Sequence, residues 1–220
     1  MERRFERDLR DLKGRIATMG GYVEQAIEKA TQGLLERDLK KLEEILAIER
    51  RINESHIQVD DNCLQVLARI SPVAGDLRLI LAIIKINTDL ERMGDQAVNI
   101  AYNAEHYLAD TKLNLKLNLP GMAAQVRLMV RDALDAFIRE DIDLAQTVLE
   151  RDDAIDELKN QAFELCVEQM KINADVTEAA LDIILIARNL ERMADHATNI
   201  AEDVIFAFTG EDVRHGSSVE

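Results

Sequence analysis

The chain has 220 residues, of which 47% are apolar and only 4% aromatic, with Gly 9, Pro 2 and no Trp. That profile fits an all-helical protein packed through aliphatic side chains and leaves little turn chemistry for sheets. The formal net charge of −15 repels phosphate backbones and anionic lipid head groups, which argues against nucleic-acid binding and against direct attachment to a membrane.

The opening M-E-R-R-F-E-R-D has no apolar stretch of the signal-peptide kind. The longest apolar run, Leu79 to Ile84, is far shorter than the ~20 residues a membrane helix needs. Cys63 and Cys166 share no metal-type spacing and read as apolar core positions. A cytoplasmic location is expected.

Residues 3–35 carry apolar side chains at three-and-four spacing, from Phe5 through Ile16 and Val23 to Leu34, and predict a long helix. Gly20 and Gly21 interrupt the pattern and mark a place where another helix can approach. After Arg37-Asp38 a second helix is predicted over about 38–70. Ser71-Pro72 reads as an N-cap followed by Pro at the first helical position, opening a third helix over about 72–109.

Residues 110–121, D-T-K-L-N-L-K-L-N-L-P-G, break the helical period. Leu113, Leu115, Leu117 and Leu119 alternate with polar residues, but a lone strand has no partner, so an extended linker is expected. Pro120 then opens a helix over about 121–140, another is predicted over about 141–171, and a last one over 175–208, with Asp175 and Glu178 as a capping box. The organisation expected is a first three-helix bundle over 1–112, a linker over 113–120, a second three-helix bundle over 121–208 and a disordered tail over 209–220.

The two halves correspond helix for helix. Asp38 answers Asp141, Leu46 answers Leu149, Ile52 answers Ile155 and Cys63 answers Cys166, at a constant offset that shortens by three residues only after the second helix. The strongest correspondence is a phrase spoken twice: D-L-E-R-M-G-D-Q-A-V-N-I-A at 89–101 and N-L-E-R-M-A-D-H-A-T-N-I-A at 189–201. Internal repetition on this scale predicts a duplicated three-helix unit.

Each copy of the phrase places two acids and an amide four residues apart, Glu91/Asp95/Asn99 and Glu191/Asp195/Asn199. That step stacks side chains on one ridge of a helix, so each copy is a ladder of oxygen ligands. The periodicity puts Glu91 and Glu191 within the apolar stripe, ringed by Gly and Ala, with Asp95 and Asp195 on its edge. Carboxylates so placed need a compensating cation. Arg92 and Arg192 are candidates, although each points about 100° away from its neighbouring Glu; bound metal is the other. Counting outward from the turns sets Asn53, Glu54 and His56 level with 91–95, and Asp152, Asp153, Asp156 and Glu157 level with 191–195. Oxygen-rich sites without Cys or a consistent His suit Mg²⁺, Mn²⁺, Ca²⁺ or iron rather than structural Zn²⁺.

His196 lies one residue off the ridge and is expected at the surface. No Walker Gly-Lys motif, G-x-G-x-x-G, H-E-x-x-H or Glu-x-x-His di-iron pair occurs, and no nucleophile–base pair can be read, so no catalytic residues are expected. These absences favour a non-enzymatic role over the alternative, a metalloenzyme or metal store using open carboxylate clusters.

The doubled L-E-R-M-[GA]-D-x-x-x-N-I-A, the turn S-P-V-A-G-D-L-R from Ser71 to Arg78 and the opening D-L-x-x-L-K-x-x-I-x-x-M-G-x-x-V-E-x-A-I from Asp8 to Ile27 together resemble the PhoU family, regulators that accompany bacterial high-affinity phosphate transporters. The resemblance covers almost the whole chain. It implies two pseudo-symmetric three-helix bundles with metal clusters on paired [ED]-x-x-x-D motifs, one pair per bundle; by their oxygen donors, Mg, Mn or Fe are the ions expected there. By that resemblance Glu191 and Asp195 pair with Asp152 and Asp156. Glu91 and Asp95 pair with Glu49 and Asn53, where an amide replaces an acid and a weaker site is expected. It further implies a non-enzymatic link between the transporter's ATPase subunit and a membrane sensor histidine kinase, repressing the phosphate-starvation response and restraining uptake. A homodimer that reaches the membrane only through these partners is the form expected.

Overall fold

The computed structural model describes residues 2–69, 72–109 and 117–213. Its helices are α1 (Glu2–Glu36), α2 (Leu39–Arg69), α3 (Ala74–Ala109), α4 (Leu119–Arg139), α5 (Ile142–Leu149), α6 (Asp152–Ile172) and α7 (Thr177–Thr209), with a 3₁₀ turn at Ala174–Val176 before the last. Among the described residues there is no strand. Most of the leucine alternation at 110–116, the Ser71 cap and the end of the tail lie outside the described residues.

The repeat extends to the backbone. α1 is followed by Arg37 and α4 by Glu140, equivalent residues that take φ of 55° and 60° although neither is Gly. The following amides, Asp38 and Asp141, donate back to the carbonyls of Gly33 and Ala136, each at 2.9 Å, which closes the helix ends. Both Asp side chains then accept from the next helix: Asp38 from the Lys40 amide and Asp141 from the Leu144 amide, each at 3.0 Å.

α1, α2 and α3 pack on one another, as do α4, α5–α6 and α7, and the two groups meet along α3 and α7 and, less extensively, along α1 and α4. The fold is all-α, two three-helix bundles in tandem. α2 packs on α1 and α3, and α5–α6 on α4 and α7, so the ridges between α2 and α3 and between α6 and α7 face away from the centre. Cys63 and Cys166 are fully buried at matching places, and burial pushes their thiols up to about 12 and about 11. Both serve as core residues.

Several predicted boundaries move. The single helix expected over 141–171 is two, broken at Glu150–Arg151. Nothing in the sequence there breaks a helix; the Arg151 guanidinium instead pairs with Asp132 of α4 at 2.5 Å, a tertiary contact that the unbroken α2 has no counterpart for. Pro72 stands outside α3, whose first turn is closed by the Val73 carbonyl accepting from the Leu77 amide at 2.9 Å. The Asp175–Glu178 capping box is replaced by the Asn173 side chain, which accepts from the Asp175 amide at 3.0 Å and starts the 3₁₀ turn. α1 runs through Gly20–Gly21 without interruption. Gly20 is a close approach, since a Cβ there meets Leu134 Cδ1 of α4 at 2.0 Å, whereas Gly21 faces open space. Thr209 closes α7, Gly210 caps it with φ of 81°, and Val213 packs back on the core.

Candidate functional site

The hairpin between α6 and α7 brings the four predicted acids of the second bundle into one neighbourhood. Asp152 and Asp156 stand on the first two turns of α6, Glu191 and Asp195 mid-way along α7. The side chain that joins them is Lys159, which the sequence reading missed: its Nζ donates to Asp156 Oδ1 at 2.7 Å and to Glu191 Oε1 at 2.9 Å. Its signal was present, since it lies three residues after Asp156 on the same helix and so on the same face. Asp153 and Glu157, also level with the site, point to solvent.

The electrostatics are those of crowding. Partial burial, followed by repulsion from Asp156, Asp153 and Glu191, raises the Asp152 carboxyl above the usual aspartate range against the pull of Lys159. Partial burial and the charges of Glu191, Asp152 and Asp156 raise Asp195 in the same way, opposed by His196. Hydrogen bonds to Asp156 and Glu191 hold the Lys159 ammonium above its ordinary value.

In the first bundle a Cβ on Gly94 of α3 meets Ile52 Cδ1 of α2 at 3.1 Å, which sets Asn53 level with Asp95 as the count from the turn predicts. Asn53 Nδ2 donates to Glu49 Oε1. Its Oδ1 is buried without a hydrogen-bond partner. Arg92 curls back toward its own acids, 3.6 Å from Glu91 and 4.0 Å from Asp95, rather than away to a neighbouring helix, and its side chain is 59% exposed. His56 turns to the other side, its Nε2 lying 3.5 Å from Asp60 Oδ2 and its Nδ1 3.3 Å from the carbonyl oxygen of Asn87. Asn87 is fully buried; its Nδ2 donates to Asp60 Oδ1 at 2.9 Å and to the His56 carbonyl at 3.0 Å.

Glu91 and Glu191 are not in the core stripe itself. Their side chains keep 26% and 19% exposure, while the fully packed positions beside them are Leu90, Met93 and Ala97 and the equivalents Leu190, Met193 and Ala197. Each acid therefore sits on the flank of its stripe, reachable from solvent, where an oxygen ladder can take up an ion. The donor set fits a hard cation in kind: carboxylate oxygens in both bundles, one of them partnered by an amide with a buried, unsatisfied oxygen. Among the described residues no three His, Cys, Asp or Glu side chains already converge as an ion's ligands. In the second bundle an ammonium stands between two of them.

The predicted outer rungs go elsewhere. Asn199 donates to Asp89 Oδ1 at 3.4 Å, across the contact with α3, and Asn99 is exposed with its carbonyl accepting from Asn103 Nδ2 at 2.6 Å. His196, expected at the surface, belongs to the same contact: its Nδ1 lies 2.8 Å from Asp89 Oδ1. Lys85 reaches the buried Asp203 at 2.7 Å, and His106 lies 4.0 Å from Asp182. These pairs run antiparallel along α3 and α7. Their repeat equivalents are not charged pairs. Gln96 and Asn189 are both buried amides, the Asn189 side chain donating to the Leu185 carbonyl at 2.7 Å and Gln96 Oε1 lacking a partner; Leu185 and Asn103 stand where Lys85 and Asp203 do.

The raised acids give a pH dependence of defined sign. A carboxyl whose folded value exceeds its unfolded value binds its proton more readily when folded. Its penalty is absent below the unfolded value, near ~4, and fully felt above the raised folded one. Metal-free protein should therefore gain stability from Asp152 and Asp195 as pH falls from neutrality toward ~4. Asp195→Asn should flatten that acid gain and raise the melting temperature at pH 7 only slightly, by about 1 °C or less, because Asp195 is exposed and solvent screens the repulsion it feels. A lower melting temperature for the Asn variant would show that Asp195 is held by favourable contacts instead.

The PhoU domain family model matches residues 16–104 and again 119–204. Phosphate-specific transport system accessory protein PhoU homologs of Pseudomonas putida and Pseudomonas aeruginosa are 37% and 36% identical over 98% of this chain and 84% and 89% of their own lengths. The crystal structure of PhoU from Pseudomonas aeruginosa is similar with a TM-score of 0.90 at 35% identity, covering 94% of this chain and 100% of that one. PhoU from Streptococcus pneumoniae, a phosphate transport system regulatory protein, gives 0.88 at 28% identity, covering 95% and 99%. These are accessory and regulatory proteins, not enzymes. With the domain matched in both halves and full-length relatives of the same organisation, the chain belongs to the PhoU family.

Proposed function

We propose that this protein is a non-enzymatic regulator of phosphate homeostasis. It would link the ATPase subunit of a phosphate ABC transporter to a sensor histidine kinase, hold the phosphate-starvation response off and restrain uptake. The observation that carries the reading is similarity over 98% of the chain to transport-system accessory proteins. The two acid ridges, on the flanks of their bundles, supply surfaces on which such docking can depend. No helix among the described residues is long and apolar enough to cross a membrane; the reading makes the protein a cytoplasmic homodimer that meets the membrane through its partners.

Each ridge is proposed to hold a Mg, Mn or Fe ion. Asp152, Asp156, Glu191 and Asp195 would hold it in the second bundle, and Glu49, Asn53, Glu91 and Asp95 in the first. The ion would neutralise crowded carboxylates and brace one helix of the hairpin against the next. Tagged protein should co-purify the transporter ATPase from its native host, and the double change Glu191→Ala, Asp195→Ala should cut that recovery several-fold while helicity is kept. Equal recovery would remove the second ridge from docking. Metal-dependent turnover of a phosphomonoester by the pure protein would replace the adaptor reading with an enzymatic one.

A further inference from the structure

Building on the metal reading above, we infer that Lys159 is an internal competitor for the second metal centre. Its ammonium takes the place between Asp156 and Glu191 that a divalent cation would take, so that ion entry and release of Lys159 are one event.

Three observations converge on this. The two contacts, 2.7 and 2.9 Å, come from acids on different helices, so the ammonium bridges α6 and α7 at the solvent-facing edge of the ridge, where Asp156 is 51% exposed. Asp152 feels the ammonium only through space and Asp195 makes no ion pair with it, which keeps negative charge in place to draw in an ion of higher valence. And the arrangement is confined to one copy of the repeat. The residue equivalent to Lys159 is His56, which turns to Asp60 and Asn87 and leaves Asn53 Oδ1 buried with no partner.

Charge counting sharpens the comparison. The second ridge has the four acids Asp152, Asp156, Glu191 and Asp195 plus one ammonium; the first has the three acids Glu49, Glu91 and Asp95 plus the Asn53 amide. With Arg92 of the first ridge left aside, both sets carry the same formal charge. The acid that the first ridge lacks is offset by the lysine that the second ridge adds. What differs is the cation: the first ridge has the exposed Arg92 at 3.6 and 4.0 Å, while the second must first give up the Lys159 ammonium held by two acids. A ligand whose competent state is only partly populated binds more weakly by that fraction, so Lys159 sets the ion concentration at which the second bundle responds. Two sites built from one repeat then answer at different metal levels.

The test is calorimetric titration of the full chain with Mn²⁺, with melting curves before and after loading, on wild type, Lys159→Met and Lys159→Arg. Lys159→Met keeps the apolar stem and removes the charge. It should tighten one Mn²⁺ site about tenfold or more, as expected when a mostly occupied competing state is removed, and it should melt lower than wild type without metal. Lys159→Arg should stay near wild type. Asp195→Asn in the Lys159→Met background should abolish the gain. Should the Met variant not fold, Lys159→Gln reads the same quantity. Wild-type affinity in a folded Met or Gln variant, or equal tightening by Lys159→Arg, would overturn the role of Lys159 and leave the metal reading standing. No Mn²⁺ binding by wild type or by the charge-free variants would overturn both.

Discussion

Chelation of the metal-loaded protein should lower its melting temperature by about 5–10 °C. An ion present at ~100 times its dissociation constant stabilises the folded state by ~2.7 kcal/mol, and in a chain of this size ~1 kcal/mol corresponds to ~2–4 °C. The size of the effect follows from what the acids do when no ion is there. Asp152 and Asp195 are both pushed upward by partial burial and by their neighbours, and Lys159 reaches Asp156 and Glu191 alone. The metal-free hairpin of α6 and α7 is therefore held against its own repulsion, and an ion removes the penalty and adds its own bonds. Differential scanning calorimetry with and without chelator measures the shift. A melting temperature indifferent to chelator would return these acids to the role of partly solvated partners for Lys159 and Arg92.

Phe137→Ala should be the most damaging single core change, costing about 3–5 kcal/mol and so roughly 6–20 °C of melting temperature. Phe137 is fully buried on α4 and is among the few aromatic side chains that an aliphatic core contains. The Lys13 ammonium of α1 lies 5.4 Å from its ring centre and 5.3 Å from that of Phe208 on α7, and is anchored by Glu140 at 2.8 Å. The ring thus sits where α1 of the first bundle meets α4 and α7 of the second, and truncation opens a cavity that straight helices cannot collapse around. Phe137→Leu, which keeps much of the volume, should cost clearly less. Urea or thermal unfolding decides; a loss under ~1 kcal/mol for Ala would mean that the site relaxes to fill the space.

Much of this was legible in the sequence because it is local or repeated. Helical period, the break at Arg37-Asp38 and the duplicated phrase are written in adjacent residues, and a hairpin of equal arms fixes which turns of α2 and α3, or of α6 and α7, lie level. The misses are of another kind. The break at Glu150–Arg151 contains no Gly or Pro and depends on Asp132 of another helix. His196 was placed at the surface because its partner, Asp89, belongs to the other half of the chain. Glu91 and Glu191 were set in the apolar stripe because a seven-residue count cannot tell the centre of a stripe from its flank; burial of Leu90, Met93 and Ala97 can. Lys159 was the avoidable miss, since its spacing from Asp156 pointed to it.

The contact between α3 and α7 is made from two copies of one ancestral surface, and such copies can pair in three ways. First with first would set Asp89 against Gln96 and Lys85 against Asn103. Second with second would set His196 against Asn189 and the buried Asp203 against Leu185, a carboxylate facing hydrocarbon. Mixed pairing gives Asp89 its imidazole and Asp203 its ammonium. Discrimination between partners rests on such differences, and burying a charge without its opposite is among the strongest of them. The duplicated halves have become mates where they began as twins: each recognises the other by the very substitutions that spoil its fit to itself.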